Sequence, residues 1–110
     1  SKHAVCFNSC SSSLFTSLKI LGIEPFDKVF MPAFTFSAVP GAIHHANATP
    51  VLIETQKDYC VDVDDFKNKV LSHPGTKVFL LSHNPCFPFY IIDALHDLNS
   101  KFEHYVSQIL

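Results

Sequence analysis

The sequence predicts an α/β fold, a mostly parallel sheet flanked by helices, and three observations carry the prediction. Short apolar runs at residues 4–7, 28–31, 50–53 and 77–81 alternate with stretches of helical spacing. Helix-ending residues, Gly22 and Asn47, stand between a helical stretch and the strand that follows it. The intervening stretches are long enough to be helical crossovers between parallel strands.

Taken in order, Ala4-Val5-Cys6-Phe7 reads as a buried strand, with Cys6 acting as a small hydrophobe. Residues 11–21 read as a helix, because Leu14, Leu18 and Leu21 recur at i, i+4 and i+7. Ser13, Ser17 and Lys19 mostly face elsewhere, and Gly22 takes the left-handed position past the helix end. Residues 28–31 form a second strand, stopped by Pro32. A second helix is expected over 36–46, with Pro40 tolerable only in its first turn. Asn47, the usual substitute for glycine at a left-handed cap, ends it, and 50–53 is the third strand. Asp62 is a good N-cap ahead of the acidic residues Asp64 and Asp65, so a helix follows over 64–71. A Pro74-Gly75 turn leads into a strand at 77–81. Ile92, Leu95 and Leu98 mark a last helix over 91–102, and 105–110 opens a further strand.

The composition bounds the function. At 110 residues the chain is one ordinary domain or a piece of a larger one. It is 47% hydrophobic with 11 phenylalanines, enough for a packed core. Its formal charge is −2, arginine is absent and the lysines are scattered, which argues against nucleic acid as a partner. No apolar run approaches the roughly 20 residues of a membrane span, and no signal peptide opens the chain. Position 1 is not Met, so the chain is expected to begin partway through a longer protein. Cysteines at 6, 10, 60 and 86 show no pairing rhythm; reduced thiols and a cytoplasmic setting are expected.

The strongest candidate site is Asn8-Ser9-Cys10-Ser11-Ser12-Ser13-Leu14, directly after the first apolar run. Strand, tight turn and helix N-terminus in that order leave backbone N–H groups and the positive helix end free for a phosphate. The same serines also suit plain helix capping. A second loop, Met31-Pro32-Ala33-Phe34-Thr35-Phe36-Ser37-Ala38, sets aromatic rings just past a strand end. Ligands of open α/β sheets gather at such ends. A phosphate cradle beside an aromatic platform suits a flat phosphorylated ring such as pyridoxal phosphate.

These segments resemble the DegT/StrS-type sugar aminotransferases, pyridoxal-phosphate enzymes of the aspartate aminotransferase (type I) fold. The Asn8–Leu14 segment is similar to the family's Ser-Gly-Thr-Ala-Ala-Leu, and Met31-Pro32-Ala33-Phe34-Thr35-Phe36 is the strongest single match. Leu21-Gly22-Ile23, Asp27-Lys28-Val29 and Ala48-Thr49-Pro50-Val51 follow in the family's order. The resemblance implies that residues 1–110 are the first part of a cofactor-binding large domain. It implies that Cys10, Ser11 and Ser12 lie at the cofactor phosphate and that Phe36 stacks on its pyridine ring. It further implies a nucleotide-linked keto sugar as substrate, an amino-acid amino donor and a homodimer at full length. The family's Schiff-base lysine and its ring-nitrogen aspartate fall beyond this chain, so no catalytic residue is assigned and the chain alone is not expected to transaminate. Where the family has Gly-Thr, this chain has Cys10-Ser11, and His83-Asn84-Pro85-Cys86 echoes a later His-x-x-Gly segment without its glycine.

Other readings rest on less. A non-catalytic, degenerate α/β module would account for Cys10 and for the aromatic run Phe87–Tyr90. A nucleotide or flavin binder lacks its Gly-x-Gly-x-x-Gly. Cys10 as a phosphatase-type nucleophile lacks the arginine clamp. A zinc site drawn from His44, His45, Cys60, His83 and Cys86 lacks a Cys-x-x-Cys pair, and adjacent helical histidines diverge by about 100°. No metal is expected.

Overall fold

The computed structural model describes residues 2–76 and 78–81. The readings that fall on Lys77, on His83 and Cys86, on 87–90, 91–102 and 105–110 lie outside them. Six elements follow in order: α1 (Cys10–Ile20), β1 (Lys28–Pro32), α2 (Ala38–His45), β2 (Thr49–Ile53), α3 (Val63–Ser72) and β3 (Val78–Phe79). The three strands run parallel in the order β2-β1-β3, with Lys28 opposite Thr49, Pro32 opposite Ile53, and Phe30 opposite Phe79. Pro50 cannot donate to a ladder, and it lies in the outer strand β2.

Alternation along the strands builds two cores. Val29 and Met31 of β1, with Val78 and Leu80, pack against Leu14 and Leu18 of α1 and Val39, Ala42 and Ile43 of α2. Phe30, Ile53, Phe79 and Leu81 point the other way, onto Val61 and onto Phe66 and Val70 of α3. Helices thus cover both faces, the arrangement a parallel sheet requires. Each fully buried Leu or Ile contributes about 1.5–3 kcal/mol relative to exposure.

All three sequence-predicted caps form. Gly22 sits at φ +72° and donates to Lys19 O, while Ile23 N–H returns to Leu18 O, both at 3.1 Å. Asn47, at φ +59°, repeats the pattern on α2: it donates to His44 O at 2.9 Å, and Ala48 donates to Ile43 O at 3.1 Å. Asp62 caps α3 by accepting from Asp64 N–H and Asp65 N–H at 2.9 and 3.0 Å. The Pro74-Gly75 turn forms with Gly75 at φ +91°.

Two expectations change. Residues 4–7 form no strand; they are exposed, Cys6 included. A strand exists only where a neighbour completes its ladder, and among the described residues none pairs with 4–7. The second helix begins at Ala38, two residues after the expected start, with Ser37 as its N-cap. Pro40 then occupies the third helical position, where its missing N–H costs no helical bond.

Asp65 ties α3 to the end of β2. Its Oδ2 accepts from Glu54 N–H at 2.8 Å and from Lys69 Nζ at 2.9 Å, and the same ammonium donates to Leu52 O at 2.6 Å. Burial alone would raise this carboxyl's pKa, but the Glu54 N–H and then the Lys69 ammonium outweigh it and hold it below its ordinary value. A carboxylate with a lowered folded pKa stabilises fully above its unfolded pKa of about 3.9 and loses that contribution as pH falls through the lowered value. Acid titrations followed by circular dichroism should therefore show wild type losing stability across that range. Asp65→Asn should start less stable by about 1–2 kcal/mol and lack this component of the acid dependence.

Candidate functional site

The first turn of α1 is a helix start with its donors facing outward. Ser9, in extended backbone at φ −157°, accepts Ser12 N–H on Oγ at 3.2 Å, and the two hydroxyls meet at 2.9 Å. Ser13 N–H donates to Ser9 O at 3.1 Å, the first helical bond. That leaves the N–H groups of Cys10 and Ser11 without an acceptor inside the helix. The first turn carries no acidic residue, so the positive end of the dipole is uncompensated by the chain itself.

Ser11 and Ser12 also border an open groove of about 390 Å³ between α1 and α2. Phe15 lines it from α1, and Ala38, Gly41, Ala42 and His45 line it from α2. His45 is oriented by its own helix: Nδ1 lies 2.8 Å from Gly41 O, and a carbonyl only accepts, so Nδ1 carries the proton. The remaining ring nitrogen is left for other partners. Sequence reasoning weighed His45 only as a metal ligand; among the described residues no three His, Cys, Asp or Glu side chains converge to hold an ion.

The loop after β1 carries Phe34, Thr35 and Phe36. Phe36 is 75% exposed, and its carbonyl accepts Val39 N–H at 3.0 Å, which starts the turn into α2. Phe34 stacks obliquely on Tyr59 from the loop after β2, with centroids 4.6 Å apart and 32° between planes. Nothing in the sequence singled out Tyr59, because the contact joins two loops about 25 residues apart and no local spacing encodes it.

The structure thus joins Ser11 and Ser12 to the start of α2 across one groove, whereas Cys10 and Phe36 lie outside its lining. Cys10 is exposed. Two free N–H groups, two hydroxyls and an uncompensated helix end form the donor set that a phosphate dianion takes. On chemistry, a phosphorylated cofactor fits at this end of α1.

Three parallel strands covered by helices on both faces form an α/β fold, and solved type I aminotransferases share it. Among them, an aspartate aminotransferase of Thermus thermophilus superposes with a TM-score of 0.76 at 21% identity, over 91% of this chain and 29% of that one. The model of the DegT/DnrJ/EryC1/StrS aminotransferase family matches residues 1–106, and the chain belongs to that family. It is 38% identical over 82 residues to the spore coat polysaccharide biosynthesis protein SpsC of Bacillus subtilis, covering 74% of this chain and 21% of SpsC. It is 40% identical over 99 residues to dTDP-3-amino-3,4,6-trideoxy-alpha-D-glucose transaminase of Streptomyces venezuelae, covering 90% of this chain and 26% of that enzyme. The crystal structure of S. venezuelae DesV superposes with a TM-score of 0.74 at 32% identity, over 86% of this chain and 25% of DesV. The chain therefore spans about a quarter of the length of these relatives. Among the described residues no helix is long and apolar enough to cross a membrane.

Proposed function

We propose that this chain forms the phosphate-binding end of the pyridoxal-phosphate site of a sugar aminotransferase. The intact enzyme would move an amino group from an amino acid such as glutamate to the keto carbon of a nucleotide-linked sugar. The observation that carries the proposal is the first turn of α1. Its free Cys10 and Ser11 N–H groups, with the Ser11 and Ser12 hydroxyls, stand in the segment that matches the family. In this reading those groups hold the phosphate, and Phe36, exposed on the loop after β1, covers the pyridine ring. When bound, pyridoxal phosphate supplies an aldehyde to carry the amino group and a ring that withdraws electrons.

None of the eight lysines is assigned the role of anchoring that aldehyde, so the chain by itself is proposed to hold the cofactor noncovalently and not to transaminate. Residues 1–110 are read as part of one large domain, in a protein that works as a homodimer in the cytoplasm.

Pyridoxine phosphate, which has no aldehyde to react with surface lysines, tests this directly. Equilibrium dialysis with the chain should show it bound at least tenfold more tightly than pyridoxine, since the cradle recognises the phosphate. Equal retention of the two compounds, or of neither, would reject the cofactor site.

A further inference from the structure

We propose that Tyr59 is a positioning residue: its ring braces the loop after β1, so that Phe36 on that loop is held ready to cover the cofactor's pyridine ring. This role rests on the aminotransferase reading and adds to it a residue that touches neither cofactor nor substrate. Among the described residues, every other ring contact involves Phe30 or Phe66 of the second core. The Phe34–Tyr59 pair instead joins the loop leaving β1 to the loop leaving β2, with centroids 4.6 Å apart.

The loop after β2 is a short hairpin built to stay in place. Thr55 pairs antiparallel with Val61, Asp62 N–H donates to Glu54 O at 2.8 Å, and Gln56 N–H donates to Cys60 O at 2.8 Å. At the tip, Tyr59 N–H donates to Gln56 O at 2.9 Å and Cys60 N–H to Asp58 Oδ1 at 3.0 Å. The base is fixed as well: Val61 is buried in the second core, and Asp65 of α3 holds Glu54 N–H at 2.8 Å. A ring mounted on such a frame keeps one position, which a brace requires.

The loop it meets is short and held at its two ends. Ala33 N–H donates to Ile53 O at 2.7 Å where the β1–β2 ladder stops, and Phe36 O accepts Val39 N–H at 3.0 Å where α2 begins. Between those bonds Phe34 and Phe36 are two residues apart on one backbone, so fixing the first ring limits where the second can point. Phe36 itself makes no ring contact among the described residues, and its aim is set by the backbone that Phe34 anchors. A stacking ring that is ordered before its ligand arrives binds more tightly, because less freedom is lost on binding.

The test uses the whole chain, with 15N relaxation in the absence of ligand and dialysis against pyridoxine phosphate and inorganic phosphate. In wild type the amides of 34–36 should be as ordered as those of β1; in Tyr59→Asn their order parameters should fall below about 0.6. Asn tolerates the left-handed backbone of residue 59, at φ +65°, so the hairpin survives in this variant. Tyr59→Asn should bind pyridoxine phosphate about three- to tenfold more weakly, the worth of one ring pair, and inorganic phosphate as wild type does. Tyr59→Phe, which keeps the ring, should restore both loop order and affinity. Phe36→Leu should weaken pyridoxine phosphate in wild type and add little in Tyr59→Asn, since both changes act through one contact. An ordered loop in Tyr59→Asn, unchanged pyridoxine phosphate affinity in that variant, or equal weakening of both ligands would overturn the brace. Wild type binding neither ligand would reject the cofactor reading, whereas normal wild-type binding with any of those three results rejects the brace alone.

Discussion

Phe30→Ala is expected to cost about 3–5 kcal/mol, a large share of the roughly 5–15 kcal/mol that holds an ordinary domain folded. Phe30 is 1% exposed at the middle of the central strand, where its ring meets Phe66 edge-on at 5.8 Å and His73 at 6.2 Å. Phe66 in turn stacks on Phe79 at 4.7 Å, so truncation opens a cavity that rigid rings fill poorly. The consequence reaches the site, because β1 carries the loop with Phe34 and Phe36 and leads into α2. Chemical denaturation should show the loss, and pyridoxine phosphate should bind the variant only at temperatures where it stays folded.

Ser11→Asp should separate stability from binding, moving them in opposite directions. Ser11 is exposed in the first turn of α1, which has no acidic residue. A carboxylate there complements the helix dipole and should stabilise the fold by about 0.3–1 kcal/mol. The same charge meets a phosphate dianion at a few ångströms; at an effective dielectric near 20, one unit charge pair at 4 Å repels by about 4 kcal/mol. Salt and side-chain motion reduce that figure, and we expect pyridoxine phosphate affinity to fall by about tenfold or more. A thermal melt and a dialysis titration on one sample would read both effects. Ser11→Ala, which keeps the backbone N–H, should lose far less binding.

Much of this fold was legible in the sequence wherever one residue type answers one local need. Gly22 and Asn47 are the residues that tolerate a left-handed helix end, and both carry paired return hydrogen bonds there. Asp62 has a side-chain acceptor of the right reach, and it caps α3 with two bonds. The alternation of Val29, Phe30 and Met31 between two cores follows from the period of a strand.

Features that depend on partners were not legible. The apolar run at 4–7 signals a preference for burial, yet hydropathy cannot say whether a neighbouring strand lies beside it. Phe36 looked like the first apolar residue of a helix, whereas the helix starts after Ser37 and leaves the ring exposed. The site divided in the same way. Ser11 and Ser12 announced themselves by their place at a helix start, but the groove they share with Ala38, Gly41 and His45 arises from the packing of α1 on α2. The Phe34–Tyr59 contact and the strained turn behind it are tertiary facts, with no trace in spacing.

The free N–H groups that open α1 are proposed to hold the phosphate of the cofactor. Two-dimensional 1H–15N spectra of the chain during addition of pyridoxine phosphate test it residue by residue. Large, saturable shifts are expected at the amides of Cys10 and Ser11, with those of Asp64 and Asp65 in the first turn of α3 unmoved. Shifts confined to other residues, or saturable binding that leaves Cys10 and Ser11 in place, would contradict it.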